Sequence, residues 1–343
     1  MSVGFGLLGS GFMAHTYAEC LARHVPNAHL VAVALGSRAR GLGAEYGVEV
    51  EPTAETLLAR NDVQAVIVAT PHSTHAPLTI AAAAAGRHVY LEKPMAVSLD
   101  DCDRMIAACR AASVLLTVNH VTRYRRSPGT ARRLLHEGAI GDLRMVRVLS
   151  SVVGYLPDDH GWANNPEEGG AWLDMGVHMF DALRWFAASD VDLIFARIRD
   201  FGGLEHQRRS GMAEVVMRNG VMAQVLISME MPPPGLGSQS QWTLIGSQGI
   251  IESDSYGKVR LGRGDSWELA YEMPPFALNA DVYSPVRLEA FAAQVEGFAA
   301  AIESGGGGPS LAGEDGRAAV EVVEAAARSS SSGTAVRLPF GAG

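Results

Sequence analysis

The sequence predicts an α/β protein: a doubly wound parallel sheet in an N-terminal domain, then an α+β domain with a large, mostly antiparallel open sheet. Three observations predict it. Over the first 120 residues, short apolar runs alternate with helical stretches. A glycine-rich turn joins the first run to the first helix. From residue 191 to 272, short strand-like segments separated by turn signals dominate. A chain of 343 residues is long enough for two domains, expected at 1–121 and 122–343.

Each element has a local reason. "VGFGLLG" (3–9) is apolar throughout and ends in glycine, as a buried parallel strand does. A helix follows over 12–23. "LVAVALG" (30–36) is a second strand, "AETLLAR" (54–60) a short amphipathic helix and "QAVIVAT" (64–70) a third strand. "HAPLTIAAAAAGR" (75–87) has proline in its first turn and glycine at its end, the usual helix asymmetry. "HVYLEKP" (88–94) is a strand stopped by proline, 99–113 a helix and "LLTVNH" (115–120) a fifth strand. This alternation implies right-handed crossovers and a parallel sheet. Next come a helix at 128–138, a strand at 143–153, a loop at 154–170 and a helix at 169–186. Asn219-Gly220 and similar turns separate the later strands, so consecutive strands are expected to pair antiparallel. Two helices, 285–304 and 314–330, close the chain.

Composition excludes several classes. A net charge of −9 argues against a nucleic-acid partner, which needs a basic face. The three cysteines, Cys20, Cys102 and Cys109, form no C-x-x-C pair and suit a reduced intracellular protein. "TIAAAAAG" is too short to cross a bilayer, and the N-terminus lacks the basic region of a signal peptide. The expected compartment is the cytoplasm, with no membrane partner.

Gly9-x-Gly11-x-x-Ala14 lies between a strand and a helix, the setting in which this spacing binds a dinucleotide on a Rossmann fold. The first glycine allows the turn and the second admits a pyrophosphate to the helix N-terminus. Ligands on such sheets bind beyond the strands' carboxyl ends. Cofactor contacts are therefore expected from Gly9, Ser10, Gly11, Phe12 and Met13 after the first strand. The second strand offers Ser37 and Arg38, and the third Thr70, Pro71, His72 and His75. Glu92, Lys93 and Asn119 end the next two. Residues 34–38 hold no carboxylate for a ribose hydroxyl, whereas Ser37 and Arg38 suit a 2′-phosphate, so NADP is preferred. The alternative is that Arg38 only begins the next helix and stacks on the adenine, which leaves NAD open as the cofactor.

"GGAWLDMGVHMFDALRWF" (169–186) raises a separate question. Asp174 and His178 are four apart on one helix face within an apolar stretch, with Asp181 a turn further on. They can form half a metal site, a proton-handling pair or a self-satisfied polar pair. No third ligand is evident nearby, so no metal is expected.

The glycine motif, "ATPHSTHAP" (69–77), "LEKPMA" (91–96), "TRYR" (122–125), "EGAIGDL" (137–143), "GGAWLDMGVHMFD" (169–181) and "ARSSSSGTAVRLP" (327–339) together resemble the glucose–fructose oxidoreductase/inositol dehydrogenase (Gfo/Idh/MocA) family over nearly the whole chain. The resemblance implies hydride transfer between a nicotinamide and a secondary alcohol of a sugar, cyclitol or polyol. It also implies an open sheet that forms a homo-oligomer interface. Carried over by position, Lys93, Asp174 and His178 are the catalytic set, and Arg123 with Tyr124 matches an Arg-aromatic pair reaching cofactor or substrate. Chemistry then assigns roles. His178 is the expected general base, Lys93 the stabiliser of the alkoxide, and Asp174 the group that holds substrate or orients His178. Trp162 is a candidate to stack on a sugar ring, or simply to pack. Asp181 is read as a structural brace. Two alternatives stay open: a lyase or hydrolase that retains NAD and uses transient oxidation, and a non-catalytic redox sensor holding NADP.

Overall fold

The computed structural model describes residues 2–153, 166–201, 209–236, 239–275, 283–305 and 312–340. The chain forms two compact units. The first comprises Met1–Tyr124 and Phe276–Arg317, the second Arg125–Pro275 and Ala318–Gly343.

In the first unit, six strands form a parallel sheet: β1 (Val3–Leu8), β2 (Ala28–Ala34), β3 (Glu49–Glu51), β4 (Ala65–Val68), β5 (His88–Leu91) and β6 (Leu116–Val118). Their order is β3-β2-β1-β4-β5-β6, so the winding reverses between β1 and β4 and opens a crevice at those strand ends. Every residue of β1 and β4 is buried, which explains their unbroken apolar runs. Helices α1 (Phe12–Arg23), α2 (Ala39–Tyr46), α3 (Ala54–Leu58), α4 (His75–Ala84) and α5 (Leu99–Ala111) make the crossovers.

The pair α2–β3 has no counterpart in the sequence reading. Gly41 and Gly43 read locally as helix breakers. In the fold Gly43 is a packing requirement: a Cβ there would lie 2.3 Å from Val50 Cγ2 and 3.0 Å from the Val48 carbonyl.

The expected split at 121/122 also needs correction. Helix α8 (Pro285–Glu303) returns to the first unit and buries Leu288, Phe291, Val295 and Phe298 in its core. Phe298 packs against Phe5 and Tyr90 with ring centroids 6.2 and 5.8 Å away. Periodicity identifies a helix, but it does not reveal which core that helix completes.

The second unit is built on nine strands: β7 (Leu143–Val153), β8 (Val191–Arg199), β9 (Ser210–Met217), β10 (Met222–Met231), β11 (Ser240–Gly246), β12 (Ile250–Asp254), β13 (Lys258–Arg263), β14 (Ser266–Glu272) and β15 (Val336–Arg337). Their order is β14-β13-β12-β11-β7-β10-β9-β8-β15. Asn219-Gly220 closes the β9–β10 hairpin, with Gly220 at φ +88°. Consecutive pairing fails at β10 and β11, because β7 inserts between them, parallel to β10 and antiparallel to β11. The connection after β10 carries Pro232, Pro233 and Pro234, which supply no N–H for a tight hairpin.

Helix α7 (Gly170–Ala187) packs on β7, β9 and β10, while α6 (Arg126–His136) packs on β12, β13 and β14. Along β9, Ala213, Val215 and Met217 are buried, and Met212, Glu214 and Val216 face outward. Beyond its two-residue pairing with the edge strand β15, β8 is closed by the serine run in α9 (Gly313–Ser332). Ser329 and Ser330 hydroxyls accept from the Ala196 and Ile198 amides, both at 2.9 Å, beside β15. Among the described residues, no helix is long and apolar enough to cross a membrane.

Candidate active site

The loop after β1 is shaped by its glycines. Gly9 adopts φ +117°, and a Cβ there would lie 2.2 Å from the Ala69 carbonyl across the β1–β4 crevice. Gly11, the α1 N-cap, faces open space and carries no side-chain cap, and no acidic residue occupies the first helical turn. The first N–H groups of α1 therefore stay available to an external acceptor. Ala14 is fully buried, Phe12 is exposed and Met13 half-buried. This geometry fits a pyrophosphate, which needs open backbone donors and a positive helix end.

Ser10 is buried, and its hydroxyl accepts from the Arg38 amide at 3.2 Å. The contact needs Gly36, since a Cβ at that position would sit 2.3 Å from Ser10 Oγ. Thus the glycine loop is braced by the end of β2. Ser37 and Arg38 are exposed there, and Arg38 is the N-cap of α2.

At the end of β5, Glu92 is 5% exposed, Lys93 is half-buried, and Lys93–Pro94 is a cis bond. Glu92 points inward. It accepts from the Tyr17 hydroxyl, from Asn119 Nδ2 at 2.8 Å and from the Lys93 amide at 3.0 Å. Burial pushes its carboxyl above the usual range. The Lys93 charge and the three donors pull the other way without cancelling that effect. Burial, and then the charge of Glu92, raise the Tyr17 phenol well above its ordinary value. The network continues from Tyr90 Oη to Asn119 Oδ1 at 3.5 Å, and Gln294 Nε2 donates to the Val118 carbonyl at 3.0 Å. Glu92 and Asn119, expected at the cofactor, have their side chains in this interior network, where they fix the backbone of Lys93. Tyr17 was missed by the sequence reading. The available signal was a tyrosine on the apolar face of α1, whose hydroxyl needs a buried partner.

After β4, Pro71 is exposed and His72 is buried in a 3-10 turn. His75 begins α4, as expected, yet it does more. The ring is fully buried, with Nδ1 2.9 Å from the Pro94 carbonyl and Nε2 3.0 Å from the Thr70 carbonyl. The neutral ring has one N–H, so it donates to one of these carbonyls and sets its other nitrogen against the second, packed between the crevice loop and the loop bearing Lys93. Arg123 pairs with Asp315 at 3.2 Å.

In the second unit, Asp174 and His178 are half-buried on one stripe of α7, whereas Asp181 on the same stripe is fully buried. Gly176 brings α7 close to α9: a Cβ there would lie 2.9 Å from Val323 Cγ2. Trp162 lies outside the described residues. Among the described residues, no three His, Cys, Asp or Glu side chains gather as metal ligands.

The His75 clamp makes a pH prediction. Burial, then the neighbouring His72, lower its pKa from 6.5 to about 4, outweighing the carbonyls that favour the proton. The folded state therefore binds fewer protons than the unfolded chain between those two values. Stability is full above 6.5 and is lost as pH falls towards 4. In urea titrations across this window, His75→Gln is expected to remove up to about 3 kcal/mol of acid sensitivity. An unchanged pH slope contradicts the clamp's neutral state. Glu92 works in the opposite sense, because its raised carboxyl favours protonation of the folded form.

Comparison with known proteins gives a consistent result. Residues 3–120 match the family model described as "Oxidoreductase family, NAD-binding Rossmann fold", and residues 129–252 match the GFO/IDH/MocA C-terminal domain. The chain is 30% identical over 345 residues to inositol 2-dehydrogenase of Rhizobium meliloti strain 1021, covering 96% of this chain and 97% of that protein. It is 30% identical over 347 residues to 1,5-anhydro-D-fructose reductase of Ensifer adhaerens, covering 98% and 99%. An Agrobacterium radiobacter oxidoreductase solved with NAD+, L-tartaric acid and magnesium shares the fold at a TM-score of 0.88 and 21% identity, over 98% of each chain. With its glycine loop, its Glu-Lys-Pro strand end and these matches along its length, the chain belongs to the Gfo/Idh/MocA family of NAD(P)-dependent oxidoreductases.

Proposed function

We propose that the protein transfers a hydride between a nicotinamide dinucleotide and a secondary alcohol or ketone of a sugar, cyclitol or related polyol. The observation that carries this reading is the fixed end of β5, where Lys93 stands at the carboxyl edge of the dinucleotide-binding sheet with its backbone held by Glu92. The substrate class follows from relatives named for inositol and anhydrofructose, matched over nearly their full lengths.

The bound nicotinamide supplies the hydride acceptor. His178 takes the hydroxyl proton as the carbinol hydrogen leaves. The Lys93 ammonium donates to the substrate oxygen and stabilises the charge that develops there. Asp174, four residues before His178 on α7, orients the imidazole or holds a neighbouring hydroxyl. In the reducing direction the same groups return the proton. Arg123, paired with Asp315, serves the cofactor or substrate.

A polyol and aldose panel, read at the reduced-nicotinamide absorbance band, tests the reaction. Net cofactor reduction supports a dehydrogenase. Product formation without it indicates a lyase that retains its cofactor. Within that assay, Lys93→Ala and His178→Ala are each expected to lower kcat by about 10²–10⁴, with cofactor affinity little changed. Equal loss of cofactor binding in both variants contradicts the assigned roles.

We further propose a preference for NADP, supported by the exposed Ser37 and Arg38 at the end of β2. Arg38→Ala is expected to raise the Kd for NADPH more than that for NADH. Titration of both cofactors by fluorescence checks it, and an unaltered ratio contradicts the preference.

The open sheet is proposed to join copies of the chain into a homo-oligomer. Met222 lies opposite both Met145 and Val216 in register, and all three are exposed, as is Met212 on β9. Met145, Met222 and Val216 form an exposed apolar row across three strands, with Met212 beyond the Arg147, Gln224 and Glu214 row, and exposed apolar side chains of this kind mark an interaction surface. Light scattering is expected to show Met222→Glu with Met212→Glu dissociating the assembly, and a native monomer contradicts it. We assign the protein to the cytoplasm, consistent with three buried free cysteines.

A further inference from the structure

Tyr17 is fully buried on α1, its ring centre 5.3 Å from that of Tyr90 and 6.1 Å from that of Phe291, both edge-on. Phenylalanine would serve that packing equally well, so the hydroxyl has a separate cause. A buried O–H needs an acceptor. This one donates to Glu92 Oε1, which also accepts from Asn119 Nδ2 at 2.8 Å. The other oxygen, Oε2, accepts from the Lys93 amide at 3.0 Å. The two oxygens thus divide their work. One is held by side chains from α1 and β6, and the other holds the backbone of the lysine.

This division needs the negative charge. Ionised, Glu92 is acceptor-only and serves all three donors; protonated, it becomes a donor at one oxygen and its hold on the Lys93 amide weakens. Burial favours the protonated form, and the Lys93 charge, then the Tyr17 and Asn119 donors, oppose it. Burial and the Glu92 charge raise the Tyr17 phenol well above its ordinary value, so the proton stays on the tyrosine. Tyr90, Tyr124 and Cys20, grouped around the same carboxyl and its tyrosines, are also raised by burial and remain neutral. From β4 comes the Val68 carbonyl, which accepts from the Glu92 amide at 2.9 Å. From α8 come the rings of Phe291 and Phe298 beside the tyrosines.

We propose that Tyr17 is a positioning residue for the reaction: its hydroxyl keeps Glu92 ionised, and ionised Glu92 holds the backbone from which Lys93 works. The inference rests on the reading of Lys93 as the group that meets the substrate oxygen. Removing the hydroxyl lets Glu92 take up its proton at a higher pH and loosens the lysine's backbone, while the aromatic packing stays.

The sequence makes the test direct. Of its 28 lysine and arginine residues only Lys93 and Lys258 are lysines, so full-length protein grown on lysine carrying heavy nitrogen gives two backbone amide peaks. Lys258, paired with Glu272 at 3.1 Å in the second unit, is the internal control. The Lys93 peak, followed against pH by NMR, reports the charge on the carboxyl that its N–H touches. In Tyr17→Phe its midpoint is expected about one pH unit above that of wild type. A second arm measures kcat for the most rapidly oxidised member of the polyol panel. The ratio of Tyr17→Phe to wild type is expected near one at alkaline pH and about ten-fold lower at the acid end, the same shift read through activity. His178 is present in both proteins and cancels from the ratio. Should Tyr17→Phe not fold, Asn119→Leu removes the other Oε1 donor and is expected to move the midpoint the same way. An unmoved midpoint overturns the proposal, and a kcat ratio lowered by one factor at every pH then identifies packing as the cause. A midpoint that moves while the ratio stays flat leaves the tie standing and overturns the role of Lys93 in the reaction instead.

Discussion

A buried carboxylate organises the business end of the first unit. Glu92 gathers one donor from α1, one from the end of β6 and one from the backbone of Lys93. Hydrogen bonds to a charged group contribute about 1.5–3 kcal/mol each, and leaving such a group without its partners costs more. The end of β5 therefore cannot drift relative to α1, whose first turn forms the floor of the dinucleotide loop. One interior anion couples the place where a cofactor is gripped to the lysine proposed to meet the substrate. His75, buried between the Thr70 and Pro94 carbonyls, packs the loops after β4 and β5 against each other from the inside.

Glycines make the same region possible by subtraction. Gly9 lets the β1 turn close onto Ala69, and Gly36 leaves room for Ser10 to receive the Arg38 amide. In each case the missing Cβ permits a backbone approach that any larger residue blocks. The second unit uses a different device. Its helix α7 presents Asp174 and His178 on one stripe while the rest of the helix supplies core, so the polar pair is carried by a rigid element rather than a loop.

Much of this was legible in the sequence because the relevant signals are local. The buried runs of β1 and β4, the glycine spacing and the four-residue separation of Asp174 and His178 depend on near neighbours alone. Four features depended on distant partners and were not legible. Glu92 beside Lys93 reads as a surface or cofactor-facing pair until Tyr17 and Asn119 arrive from elsewhere in the chain. His75 reads as a helix start, since nothing local names the two carbonyls that it bridges. Residues 285–304 read as a helix of the second domain, and only the packing of Phe298 on Phe5 and Tyr90 assigns them to the first. Insertion of β7 between β10 and β11 is likewise a matter of long-range register, hidden from a reading of consecutive segments.

One labelling experiment tests the chemistry most directly. A polyol substrate carrying deuterium on its reacting carbinol carbon is turned over with oxidised cofactor, and the recovered nicotinamide is examined by proton NMR. Hydride transfer predicts one deuterium at carbon 4 of the reduced ring, on a single face. Deuterium released to water, or kept in the product while the cofactor remains oxidised, contradicts alcohol oxidation as the reaction.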